Sequence, residues 1–269
     1  MISRPLLYYT IRGDFMIITV DIGNTNITFG VFDNDDIVFV SRLATQRSLT
    51  PDQYAVYFSN IFALHKVDTS LIDGAIISSV VPELTQTLKQ AISPICEKCI
   101  VIAPGVKTGL DIQIDNPAQL GADLAAGAVG VAENYPLPAF VIDLGTASKL
   151  YVVNEKKAFC GGLIAPGIAI SLNALTETSS QLPTIALNAP SKACAKNTVE
   201  CMQSGVILGT ASMIDGMIDR FILEVGTPAL IVATGGLSSF IVKECKHDIV
   251  YDNDLILKGL KAIYDKNSK

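Results

Sequence analysis

The chain has no tryptophan and only two histidines, His65 and His247, among its 269 residues. Neither histidine lies in a triad-like or metal-ligand setting, which argues against histidine-dependent catalysis. Charge is scarce: Asp, Glu, Lys and Arg make up 17% of the chain, with 20 basic against 26 acidic residues and a net charge of −6. No basic block occurs, so nucleic acid is not an expected partner. Mean hydropathy is +0.42, yet Gly, Pro or a charge interrupts every apolar run well before the roughly 18 residues a membrane span needs. The hydrophobicity therefore belongs to buried strands and helices, and no membrane partner is expected. Neither G-x-x-x-x-G-K-[ST] nor G-x-G-x-x-G is present, which disfavours a P-loop or a Rossmann nucleotide site.

The six cysteines follow no framework pattern. Cys96 and Cys99 form a lone C-x-x-C without a second pair or a nearby histidine, so ordinary reduced thiols are expected. Residues 1–15 carry Arg4 and Arg12 around a short apolar stretch, and no small-residue cleavage site follows. That pattern is not a secretory signal. A cytoplasmic protein is expected, with residues 1–15 read as an extension because Met16 opens the first strand-like run.

What the chain does have is a repeat. Thr19-Val20-Asp21-Ile22-Gly23-Asn24-Thr25-Asn26 aligns with Val141-Ile142-Asp143-Leu144-Gly145-Thr146-Ala147-Ser148, and each is an apolar run ending in Asp-x-Gly followed by small polar residues. Around the first copy, β-rich runs at 17–20, 27–32 and 37–43 precede a helical pattern over 51–65, a buried strand over 74–82, a helix over 83–91 and a short strand at 99–102. Around the second copy the three-strand opening recurs at 139–143, 149–153 and 159–164. Helical patterns follow over 170–180 and 198–225, then a strand at 229–233, a Gly235-Gly236 turn and a closing helix over 254–264. Asn116-Pro117 separates the first half from an alanine-rich helix over 119–133 in the second, and the turn-rich Gly105–Leu110 is read as the connection. The recurrence predicts an α/β chain of two duplicated domains, 16–117 and 118–269.

A strand that ends in Asp and turns through Gly exposes backbone N–H groups to a phosphate, while the carboxylate orients the transferred group or a hydrated metal. Asp-x-Gly also makes ordinary hairpin turns. Two copies at matching places favour the phosphate reading. Gly235-Gly236 fits a tight turn, with an adenine site as the alternative. Asp123 is the only acid among the small and apolar residues of 121–127; it reads either as a general base for a substrate hydroxyl or as a helix-start acid favoured by the macrodipole.

Taken together, these residues resemble the type III pantothenate kinases of the acetate and sugar kinase, Hsp70 and actin superfamily. The resemblance runs from Met16 almost to the C-terminus through Asp21–Asn26, Ile77–Pro82, Pro104–Leu110, Gly121-Ala122-Asp123, Asp143–Ala147, Gly161–Gly167 and Met202–Gly205. It implies two ribonuclease-H-like (actin-like ATPase) domains, mixed sheets with flanking helices and a cleft between them. It implies a homodimer and ATP-dependent phosphorylation of pantothenate to 4'-phosphopantothenate, the first step of coenzyme A biosynthesis. By position, Asp21, Ile22, Gly23, Asn24, Thr25, Asn26, Ile27 and Thr28 hold the ATP phosphates, and Thr146 adds an ATP contact. Asp123 is the general base, Asp143 binds a potassium or ammonium ion, and magnesium arrives with ATP. Gly121, Ala122, Asp123, Leu124 and Thr198 line the substrate side.

The chain departs from the family pattern at three places. Leu124 stands where the family has arginine, Ile114 where it has tyrosine, and Thr146-Ala147-Ser148-Lys149 where it has Thr-Ala-Thr-Thr. Leucine cannot offer the charge-assisted bidentate bond that arginine makes to a carboxylate, and Lys149 is the expected replacement. Two readings follow: an active pantothenate kinase with a rebuilt pocket, or a non-catalytic nucleotide-binding relative or kinase for a different small hydroxylated substrate.

Overall fold

The computed structural model describes residues 15–268. The expected extension, 1–15, lies outside the described residues except for the exposed Phe15. Contacts divide the chain into two compact units, each built on one sheet. Of the described residues, the first holds those up to Lys107 together with Gly121–Asp123 and 260–268; the second holds Thr108–Leu120 and Leu124–Gly259.

In the first unit, β1 (Met16–Ile22), β2 (Asn26–Asp33) and β3 (Asp36–Ala44) form an antiparallel meander. Helix α1 (Pro51–Leu64), strand β4 (Ile72–Ser79), helix α2 (Pro82–Ile92) and strand β5 (Cys99–Val101) follow, giving the sheet order β3-β2-β1-β4-β5. The β1–β4 and β4–β5 pairs are parallel. Each crossover is a helix, as parallel neighbours require. Period-two alternation places Met16, Ile18, Val20 and Ile22 on one face of β1, where they meet Ile27, Phe29 and Val31 of β2 and Phe58 and Phe62 of α1. Phe29 packs edge-on against Phe58, with ring centroids 4.8 Å apart. Thr19 and Asp21 occupy the other face. Helix α1 starts where the sequence places it because Thr50 and Gln53 form a reciprocal capping box and Pro51 fills the first turn.

The second unit repeats this plan. Strand β6 (Asp111–Ile112) and helix α3 (Ala122–Asn134) come first, then β7 (Ala139–Leu144), β8 (Ala147–Val153) and β9 (Ala158–Pro166). Helix α4 (Ile168–Thr178) precedes α5 (Thr198–Gln203), which runs through one π turn at Ser204–Leu208 into α6 (Gly209–Val225). Strand β10 (Leu230–Thr234), the short α7 (Ser238–Ile241), β11 (Val250–Tyr251) and α8 (Leu255–Ser268) complete the fold. The sheet order is β11-β10-β7-β8-β9-β6. Apart from the added β6 edge it reproduces the first sheet: an antiparallel meander, with two parallel strands beyond its first member.

Against the single cut at 117/118 read from the repeat, contacts place 108–120 with the second unit, because β6 pairs in parallel with β9. The end of α8 belongs with the first unit, where the Tyr264 hydroxyl donates to Asp73 at 3.1 Å and Asn267 exchanges hydrogen bonds with the Lys107 backbone. Among the described residues no helix is long and apolar enough to cross a membrane.

Candidate active site

In the first unit, strand pairing brings Asp21 opposite Thr28 on β2 and Ser78 on β4. The turn beyond it is held from behind. The Gly23 N–H donates to the Asn26 carbonyl at 3.0 Å, the Thr45 hydroxyl donates to the Gly23 carbonyl at 2.7 Å, and the Thr45 N–H donates to the Thr25 carbonyl at 3.0 Å. Arg47 donates to the Asn24 side chain at 3.1 Å and meets Glu83 at 3.2 Å. An added Cβ at residue 23 would lie 3.0 Å from the Asn26 carbonyl, a tight contact that glycine avoids. The N–H of Gly23 is thus spent inside the hairpin, while Asn24, Thr25 and Asn26 are exposed and can meet a ligand. Ile22 and Ile27 are buried beneath the turn and support it.

Ser78, beside Asp21, is a residue the sequence reading passed over. Its hydroxyl is fully buried and has no hydrogen-bond partner. Buried polar groups nearly always have one, so this hydroxyl is a donor left over beside the candidate site carboxylate, as the Ser148 hydroxyl is in the second unit. A signal for it was present in Ser78-Ser79, the polar end of an otherwise apolar strand. Thr45 and Arg47 gave no such signal, since their role depends on where β3 ends.

Asp123 is the second residue of α3 and is half-buried. An added Cβ at Gly121 would lie 2.6 Å from its Oδ1, so only glycine leaves the carboxylate where it is. Gly121→Ala is therefore expected to displace this carboxylate and lower kcat by about 10- to 100-fold. Stability should change by less than about 1 kcal/mol; kinetics compared with thermal melting separates the two effects. Leu124, one residue on, packs with Ile114 against an apolar cluster that includes Ala128, Val131 and Tyr151. Two departures from the family pattern thus share one hydrophobic environment.

In the second unit, Asp143 occupies on β7 the place that Asp21 has on β1, and it is buried. The Lys149 ammonium donates to its Oδ2 at 2.9 Å. That engagement differs from the expected use of Lys149 as a substitute for the missing arginine: its charge is already matched by Asp143. Thr146 is exposed on the turn, and Gly167 approaches so closely that a side chain there would overlap the Thr146 carbonyl. Gly235 has φ +98°, and an added Cβ would lie 2.7 Å from Leu144 backbone atoms, so Gly235 has a packing reason of its own. Thr198 opens α5 and is exposed, with Asn197 capping the helix by accepting from the Glu200 N–H at 2.9 Å.

The remaining reactive residues lie elsewhere. All six cysteines are free, and burial pushes the Cys96 thiol up to about 12. A protonated, buried thiol is a poor nucleophile and a poor metal ligand. His65 stacks on Phe39 and His247 pairs with Asp219. No group of three or more His, Cys, Asp and Glu among the described residues is arranged to hold a metal ion.

Two units with the same strand order, each closing its first strand on an acid and a glycine turn, define a duplicated ribonuclease-H-like fold of the actin-like ATPase class. A ROK family protein from Streptococcus pneumoniae, solved with sucrose, has this fold with a TM-score of 0.51 at 14% identity, over 94% of this chain and 99% of that one. A Baf family protein from Campylobacter jejuni superposes with a TM-score of 0.58 at 21% identity, covering 93% and 98% of the two chains. Within this class the sequence matches the model of the type III pantothenate kinase family over residues 17–220, and the chain belongs to that family. The type III pantothenate kinase of Halalkalibacterium halodurans is 42% identical over 257 residues, which cover 94% of this chain and 100% of the relative. The chain is accordingly a kinase.

Proposed function

We propose that the protein transfers the γ-phosphoryl group of ATP to the hydroxyl of pantothenate, forming 4'-phosphopantothenate and ADP at the entry to coenzyme A synthesis. The observation that carries the reading is the Asp21–Asn26 turn, fixed from behind through its carbonyls with three polar side chains exposed. The 21–28 hairpin receives the phosphates through Asp21, Asn24, Thr25, Asn26 and Thr28, with Ile22, Gly23 and Ile27 holding its shape, and Thr146 contacts ATP. The pantothenate hydroxyl gives its proton to Asp123 as its oxygen bonds to the γ-phosphorus and the bond to ADP breaks. Phosphoryl transfer asks the protein mainly for positioning and charge compensation. Acceptor binding is assigned to Gly121, Ala122, Leu124 and Thr198.

The hard oxygen donors of Asp21 and the exposed amide and hydroxyl side chains of the turn suit magnesium delivered with ATP, which when bound supplies charge neutralisation of the phosphates. A potassium or ammonium ion at Asp143 does not suit this chain, because that carboxylate already receives the ammonium of Lys149. Free thiols throughout accord with a reducing cytoplasm. The homodimer is carried by the family resemblance alone. A net charge of −6 disfavours nucleic acid as a partner.

ADP release that depends on added pantothenate tests the reading; ATP turnover indifferent to pantothenate would contradict it. One observation favours a second acceptor. The apolar packing of Leu124 and Ile114 suits a hydroxylated substrate with an uncharged group where pantothenate carries its carboxylate. Leu124→Arg is expected to lower the KM for pantothenate by about one to two orders of magnitude, the worth of a charged hydrogen bond. Steady-state kinetics at saturating ATP measures this, and an unchanged KM would remove Leu124 from the substrate side.

A further inference from the structure

The Asp143 carboxylate is buried, and a buried charge requires compensation. In the corresponding hairpin of the first unit the residue opposite Asp21 is Thr28, which brings no charge. In the second unit the residue opposite Asp143 is Lys149. Its ammonium sits 2.9 Å from Oδ2, with the two side chains only 16% and 9% exposed. Turn length produces the difference. Between the last paired residues lie Gly23–Asn26 in the first hairpin but only Gly145–Ala147 in the second. The shorter turn slips the register by one residue, and a slip of one exchanges the faces of a strand. The repeat offset alone would put Leu150 opposite Asp143; the slip brings Lys149 there and sends Leu150 into the apolar cluster beneath α6.

We propose that Lys149 is a built-in cation that replaces the free monovalent ion at Asp143, so that nucleotide binding by this kinase requires neither potassium nor ammonium. The proposal rests on the kinase reading above. A covalently tethered ammonium is present at fixed occupancy whatever the salt. A second monovalent cation at the same carboxylate would meet the like charge of Lys149 at short range, where repulsion in a partly buried site is poorly screened. Lys149 is here a positioning residue: it fixes Asp143 and with it the turn that carries Thr146.

The test measures MgATP affinity by calorimetry on the full chain, in potassium chloride and in tetramethylammonium chloride at equal ionic strength. Wild type is expected to bind equally in both. Lys149→Thr, which installs the residue found opposite Asp21, is expected to bind about tenfold or more weakly in tetramethylammonium and to recover when potassium or ammonium is added. Recovery by a specific ion is a response that loss of a merely structural contact would not give. Wild-type binding that depends on potassium would overturn the proposal without touching the kinase reading. A Lys149→Thr defect that no ion repairs, with a melting curve like that of wild type, would also overturn it. Absence of ATP binding in every salt would overturn both.

Discussion

Asp123→Asn is expected to lower kcat by about 10²- to 10⁴-fold, with a value near the lower end, while leaving the fold and ATP affinity in place. Asparagine preserves the shape of the side chain beside Gly121 but cannot accept the proton of the substrate hydroxyl. The lower end follows from the reaction itself. In a loose phosphoryl-transfer transition state the attacking oxygen carries little bond formation, so general-base help is worth less than in acyl transfer. The bland alternative, an acid that stabilises the start of α3, makes a different forecast. It costs about 0.3–1 kcal/mol of stability and nothing in turnover. Thermal melting combined with single-turnover kinetics separates the two, and an unchanged kcat with a lowered melting point would return Asp123 to a structural role.

Gly259→Val is expected to destabilise the protein by about 3 kcal/mol or more, because overpacking against atoms that cannot yield exceeds the usual range of side-chain clashes. Helix propensity points the other way, since valine is slightly better than glycine in a helix interior by a few tenths of a kcal/mol. Geometry decides the sign. An added Cβ at Gly259 on α8 would overlap the Ala126 carbonyl on α3 and come within 2.8 Å of the Gly130 backbone nitrogen. Both are backbone atoms of a helix, so relief requires the helices to separate, which opens the cluster around Leu255, Ala128 and Val131. Gly216→Val on α6 is the control: nothing lies within 4 Å of its added Cβ, so the substitution is expected to be neutral or slightly stabilising. Denaturant melts of the two variants check the pair, and equal effects would contradict the close helix crossing.

The duplicated architecture is readable because each half opens with an apolar strand run ending in Asp-x-Gly and followed by two further β-rich runs, and a run of five or six residues is enough to declare itself. The two-residue strands β6 and β11 lie below that limit, and the pairing of β6 with β9 moves 108–120 into the second unit. The π turn at 204–208 is likewise invisible in a helical pattern that simply continues through it. At the site, Asp21, Gly23 and Asp123 stand out by residue type. Lys149 stands out by its charge, as a replacement for the missing arginine, but its place opposite Asp143 is not legible, since the 122-residue offset implies one register and a hairpin one turn residue shorter imposes another. For Ser78 the sequence shows only the polar Ser78-Ser79 end of an apolar strand; that its hydroxyl is buried without a partner is a property of the packed sheet.

Phosphoryl transfer to pantothenate is tested most directly by incubating the full chain with magnesium, ATP labelled in its γ-phosphoryl group, and pantothenate, then locating the label. The account predicts that wild type moves the label to the pantothenate hydroxyl and that Asp123→Asn does so far more slowly. Label that stays in ATP, or passes to water at the same rate with and without pantothenate, would contradict it.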